Sequence, residues 1–344
     1  LAEIDAGTHS QGAATQLESR TLNFDVIPPR PIPILTLQGK ALCTAGNLTN
    51  IQAPAKAGKS AVLESQIAAI MSGNRQGIDT LGFSAENPQG FALIHLDTEQ
   101  SRFDHDALVR RAVRRAKVET PPAWFHSYSL ADLSIRERRQ ALHFAMRDGR
   151  EAHGGIFAVM IDGIGDLCAD PNDAGEAFAL VAELHTAAIS YDCAIITILH
   201  ENPGGSETGK TRGHLGSQVE RKAETNLRLA KDSHGVTTIW AEKARHCYLP
   251  KSEGPCFAWN DQAMMHTSCG TAKQMKSAEL REKMNLEAEA AFGEVGSMTY
   301  TELVEAIMKA LDVSERTAKS RVTTWLAEGI TRKTSTGNHT LTNP

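Results

Sequence analysis

An excess of basic residues is the first thing missing. Lysine and arginine number 36 against 41 aspartates and glutamates, a net charge of −5. The chain is therefore no polycation, and any hold on nucleic acid has to come from local patches. Cysteine is sparse: Cys43, Cys168, Cys193, Cys247, Cys256 and Cys269 form no CxxC pair, and no histidine cluster sits at metal-ligand spacing. Such thiols are expected to be reduced, in a cytoplasmic protein. No apolar run approaches the ~20 residues of a membrane span, and no secretory leader pattern is visible. No motif for contacting a nucleobase stands out either. A chain of 344 residues with ordinary charged and apolar fractions has room for one full α/β domain and a small second one.

What is present centres on Ile51–Val62, IQAPAKAGKSAV. Leu48–Ile51 reads as the end of a strand. Ala53, Pro54, Ala55, Lys56, Ala57, Gly58, Lys59, Ser60 and Ala61 form a small-residue loop running into a helix through Leu63, Ile67 and Ile70. Strand, small-residue loop, Lys-Ser and helix is the layout of a phosphate-binding loop. Small residues let backbone N–H groups curl around phosphate oxygens, and Gly58 permits close approach. The helix N-terminus adds its positive end. Lys59 would face the β- and γ-phosphates of ATP, and Ser60 would ligate Mg²⁺. Ala53 stands where the pattern usually has glycine.

Two apolar runs end in acids. Phe91–Leu96 leads to Asp97-Thr98-Glu99, and Phe157–Ile161 to Asp162. Acids at the ends of parallel strands stand where α/β sheets bind ligands. Glu99 is expected to polarise the attacking water, the alternative being a first-turn acid of the basic helix 103–117. Asp162 is expected in the Mg²⁺ shell. A third run, Cys193–Leu199, ends at His200, which reads equally as a γ-phosphate sensor or a capping histidine. The loop 201–213 that follows carries Lys210 and Arg212. Strands are expected at 34–42, 124–128, 227–230 and 236–240, and helices at 135–153 and 176–191. Lys243 and Arg245 follow the last strand and point the same way, either as solvated charges or toward a neighbour's phosphate.

Four segments are expected: a flexible arm at 1–30, the α/β domain at 31–268, a helical linker at 269–296, and a compact unit at 297–344. In that unit, a helix at 301–311, a turn, a second helix capped by Ser314 and a hairpin at 330–341 match a winged helix. Arg316, Lys319 and Arg321 on the second helix and Arg332 and Lys333 on the wing would contact DNA; protein contact is the alternative.

Together these residues resemble the RecA-like ATPase core of RepA-type hexameric helicases of plasmids and mobile elements. The resemblance rests on Ala53–Ser60, Glu99, Asp162, His200, Gly213–Ser217 and Lys243/Arg245, and covers residues 30–260. It implies a RecA-like core with a mostly parallel sheet, and a ring, hexameric in the family's manner, with ATP sites at subunit interfaces. Glu99 would be the catalytic base and Lys243/Arg245 would act on the neighbour's ATP. The loops 168–175 and 201–213 would line a channel for single-stranded DNA, and the winged helix would take duplex. A recombination or transposition helper ATPase, or an ATP-switched DNA-binding regulator, are the alternatives.

Overall fold

The computed structural model describes residues 17–18, 20–201 and 213–342. Residues up to Ile32 form a unit of their own, whose described part is turn-rich and exposed. The second unit, from Pro33 onward, contains every element discussed below. Among the described residues no helix is long and apolar enough to cross a membrane.

The second unit opens with strands β1 (Pro33–Leu37), β2 (Lys40–Thr44) and β3 (Leu48–Ala53), then helix α1 (Lys59–Ser72) and the short β4 (Phe83–Ser84). Alternating strands and helices follow: β5 (Ala92–Asp97), α2 (Arg102–Ala116), β6 (Phe125–Ser129), α3 (Ile135–His153), β7 (Ile156–Asp162), α4 (Ala174–Tyr191), β8 (Ala194–His200) and α5 (Gly213–Lys222). Four strands, β9 (Thr225–Lys231), β10 (Thr237–Ala244), β11 (Pro255–Asn260) and β12 (Met265–Thr271), complete the sheet. The chain closes with α6 (Ala272–Phe292), α7 (Tyr300–Leu311), α8 (Glu315–Ala327), β13 (Thr331–Lys333) and β14 (His339–Leu341).

The result is an α/β protein built on a nine-stranded, mostly parallel sheet of order β12-β11-β10-β9-β3-β8-β7-β5-β6. The six strands from β9 to β6 run parallel, and the last three are antiparallel additions at one edge. Alternation along each buried strand sends residues to two cores. Leu93, Ala158, Met160, Ile196 and Ile198 pack with α1 and α2 on one face. Ala92, Ile94, Leu96, Val159, Ile161 and Ile195 pack with α3, α4 and α5 on the other. The chain leaves β3 over the first face toward β5 and β6, then returns through β7 and β8 over the second. Parallel crossovers of one hand require that change of face. It opens a crevice at the C-terminal ends of β3, β8, β7 and β5, where open α/β sheets take ligands.

The sequence leaves residues 255–267 unassigned; they form most of the β11–β12 hairpin, in which the short apolar run Cys256–Trp259 of β11 is buried at its start and β12 is half-buried to exposed. The basic run on α2 is largely built into this architecture. Arg115 and Arg111 pair with Glu64 of α1, Arg114 donates to the carbonyls of Ala263 and Met264, and Arg110 pairs with Asp106. Beyond the sheet, α6, α7 and α8 bury Met284, Phe292, Leu303, Ile307, Val322 and Trp325 in a third, separate core, with the β13–β14 hairpin beside it.

Candidate functional site

The crevice is built from strand ends and one helix start. Residues Pro54–Gly58 turn from β3 into α1, with Lys56 and Gly58 in left-handed backbone conformations. Gly58 is required there: φ is +94°, and a Cβ would stand 2.9 Å from the Phe257 ring. Phe257 lies on β11, and Thr237 at the start of β10 donates to the carbonyl of Ala57 at 3.2 Å. The antiparallel extension thus supports the loop from below. Helix α1 has no side-chain N-cap, so its first-turn amides are offered to whatever enters the loop. Ala55, Lys56 and Ser60 are exposed, whereas Ala53, Ala57, Lys59 and Ala61 are buried.

Lys59 turns its ammonium back over this loop, 3.1 Å from the Pro54 carbonyl and 3.4 Å from that of Ala53. It also lies 3.0 Å from Nδ1 of His200. An ammonium can only donate, so Nδ1 accepts and the ring proton sits on Nε2. That nitrogen is 2.9 Å from Glu99 Oε2, giving a continuous Lys59–His200–Glu99 chain. Burial lowers the Lys59 pKa, opposed by the negative charges of Glu99, Asp162 and Glu201. Glu201 is itself buried and held by Arg228 at 3.1 Å.

Asp162 ends β7, directly paired with Asp97 on β5. Burial and then the neighbouring Asp97 and Glu99 charges push its carboxyl up to about 7, against the opposing Gln100 hydrogen bond and Lys59 charge. Gln100 Nε2 donates to Oδ2 at 3.0 Å. Gly163 follows with φ +91°, and a Cβ there would strike Thr98 and Glu99. Thr98 donates at the same corner, 2.9 Å from the Asp162 carbonyl, with half-exposed Asp166 3.2 Å away.

The fold therefore brings Lys59, Glu99, Asp162 and His200 together beside the Ala53–Ala61 loop. Lys243 and Arg245 it places elsewhere. Lys243 pairs with Asn226 and Ala244 with Thr225, at the beginning of β9, so both cations lie toward the opposite end of the sheet from the loop, and both are exposed. In the third core's neighbourhood, Arg316, Lys319, Arg332 and Lys333 are exposed, Lys319 being 2.7 Å from Glu315. Arg321 faces Glu287 of α6 at 3.2 Å. Lys210 and Arg212 lie outside the described residues.

Residue spacing showed no metal-ligand cluster, but the fold brings together three residues that could hold an ion. His95, Asp97 and Asp162 offer ligand atoms within 4.8 Å of one another, all buried. The signal was His95-x-Asp97 inside a strand; its third member becomes visible only once β5 and β7 are set side by side. Compared with known proteins, the sequence matches no family model and no curated protein at a significant level.

Proposed function

We propose that this chain is an ATP-hydrolysing DNA motor of a plasmid or mobile element, working as a RepA-like ring with its sites completed between subunits. The observation that carries the reading is the Lys59–His200–Glu99 chain lying at the uncapped start of α1, with Asp162 on the neighbouring strand end. In this reading β3, the loop and α1 are a phosphate-binding loop in a RecA-like core, and α7, α8 and the β13–β14 hairpin are a winged helix.

The residues fit a magnesium-bound triphosphate. The uncapped first-turn amides of α1 would meet the phosphates, and the exposed Ser60 hydroxyl and the Asp162 carboxylate would hold Mg²⁺ and its waters. The ion, when bound, supplies positive charge to the phosphate oxygens. Lys59 exchanges two weak carbonyl contacts for phosphate and releases His200. Glu99, then held by His200 Nε2 through Oε2 alone, would keep Oε1 to accept a proton from water. Lys243 and Arg245, far from their own loop and exposed, are suited to a neighbour's phosphates; cations lent this way raise rates by about 10³–10⁵ in related NTPases. Arg316, Lys319, Arg332 and Lys333 would meet DNA.

Phosphate release and particle size, followed with and without single-stranded DNA, test the reading. Turnover that rises with assembly and DNA, falls to background in Glu99→Gln and accompanies strand displacement is expected. Turnover without displacement would favour a remodelling helper, and absence of both assembly and DNA response would remove the motor.

A further inference from the structure

We propose that His95, Asp97 and Asp162 form a buried site for one divalent first-row transition-metal ion, bound by His95 Nε2, Asp97 Oδ2 and an Asp162 carboxylate oxygen. The register supplies the geometry. His95 and Asp97 are two apart on β5 and project to the same face, and Asp162 is Asp97's direct partner on β7. Metal–ligand bonds of about 2.0–2.2 Å require donors roughly 3–4 Å apart, so the present 4.8 Å limit closes with a contraction on the order of 1 Å.

The hydrogen-bond network then fixes which lone pairs are free. Asp97 Oδ1 accepts from the backbone N–H groups of Glu99 at 3.1 Å and Gln100 at 2.9 Å. Oδ2 lies 3.1 Å from His105 Nδ1. A carboxylate only accepts, so His105 carries a proton on Nδ1 and, as the neutral imidazole, accepts at Nε2. Ser127 Oγ, 3.0 Å from that Nε2, donates its single hydrogen there. It therefore accepts from His95 Nδ1, 2.9 Å away. The proton of His95 is thus committed to Nδ1, and Nε2 is left as a bare lone pair. That nitrogen is buried and has no partner, in a side chain that is wholly inaccessible.

Its direction follows from the strand order. Ser127 is on β6 and Asp162 on β7, to either side of β5. With Nδ1 turned toward β6, Nε2 turns toward β7. His105, stacked on His95 with centroids 5.3 Å apart and rings 7° from parallel, holds the ring there. Asp97 Oδ2 retains one unassigned lone pair, and Asp162 Oδ1 has no hydrogen-bond partner among the described residues. Three acceptors converge with no donor between them, an arrangement that a cation satisfies.

One imidazole nitrogen with two carboxylate oxygens suits Zn²⁺, Mn²⁺, Fe²⁺ or Co²⁺ better than Mg²⁺, which keeps several waters and favours oxygen. His105 and Ser127 orient the ligands from behind, as metal-bound histidines and carboxylates require. The site is complete in the nucleotide-free chain and stands whether or not the triphosphate reading does; where both hold, it would take Asp162 Oδ1 and leave Oδ2 for the Mg²⁺ shell.

The test uses the full chain, stripped with chelator and free of nucleotide, titrated with Co²⁺ and with Zn²⁺ while heat and visible absorption are recorded. One equivalent is expected, with a nitrogen–oxygen Co²⁺ spectrum lacking thiolate charge transfer. His95→Gln should lower affinity more than 100-fold, and His105→Asn about 10–100-fold as an orienting residue. His153→Gln, which breaks the half-buried His126–His153 pair, should leave it unchanged. In the unsubstituted chain, Co²⁺ should also shift the ring resonances of His95 and His105, an answer that needs no variant to fold. No binding, binding undiminished in His95→Gln, or binding lost in His153→Gln would overturn the proposal.

Discussion

Removing Glu64 should unfold this protein more readily than removing any surface acid. Glu64 sits on α1 with its side chain 2% exposed, 2.9 Å from Arg115, which is 1% exposed. Its other oxygen is 2.9 Å from Arg111, which is 30% exposed. In Glu64→Ala the two arginines fare differently. Arg111 regains water, so its share is the ~0–1 kcal/mol of a surface pair. Arg115 cannot, and keeps only the carbonyls of Asp79 and His266. Breaking a buried pair by deleting one partner costs about 3–5 kcal/mol, because a charge is left without a counter-charge. The expected loss is therefore about 4 kcal/mol, read as a lower urea midpoint at unchanged slope. Glu64→Leu combined with Arg115→Met removes both charges and should recover most of the loss. A loss below ~1 kcal/mol in the single variant, or a double variant no better than the single one, would refute the assignment of this pair as a buried lock.

Other expectations follow from the same contacts. Lys59→Ala should abolish the stabilisation that ATP with Mg²⁺ gives in thermal unfolding, while leaving the nucleotide-free chain folded; a retained shift would remove Lys59 from the site. Gly58→Ala should cost about 1–3 kcal/mol, from strain at positive φ and contact with Phe257, and Phe257→Leu should return part of it. Burial pushes the Cys193 thiol up to about 12 and Cys168 up to about 11, so both should resist a thiol reagent at pH 8 under native conditions. Half-exposed Cys247 and Cys269 should react first. Burial also raises the Glu224 carboxyl despite its Thr44 hydrogen bonds. Its contribution to stability is then full below the unfolded value and declines as pH rises toward the folded one. Glu224→Gln should flatten that part of the stability curve, measured by denaturant unfolding from pH 4 upward.

Much of the layout was legible because the buried strands are short apolar runs with polar ends. Ala92–Asp97, Ile156–Asp162 and Ala194–His200 each announce themselves by composition, and each ends in a polar residue at the crevice. The helix at Ile135–His153 is similarly explicit, with Ser134 and Glu137 forming a capping box. The β11–β12 hairpin was not legible, since its apolar run is only four residues, β12 is half-buried to exposed, and the turn passes through Met264 at positive φ, a residue with no turn preference. Nor was the role of the basic run on α2: Arg111, Arg114 and Arg115 look solvated until Glu64 and the carbonyls of residues 263, 264 and 266 are placed opposite them, whereas Arg110 does stay at the surface. His95 read as one polar residue within an apolar strand. Its company, Ser127, His105 and Asp162, comes from three other elements, and pairing between strands is not written in local spacing.

Thr271 is at once the last residue of β12 and the N-cap of α6, through a capping box with Gln274. Nothing slack separates the sheet from the helix. Twenty-one residues at 1.5 Å each make a stiff arm about 31 Å long. Its far end, Met284 to Phe292, is bolted into the terminal module. A tilt of only ~5° at Thr271 would swing that module by about 3 Å, given the rise per residue. The pivot is one strand away from Phe257, whose ring lies under Gly58. The ring under the loop and the root of the arm thus belong to one strand pair.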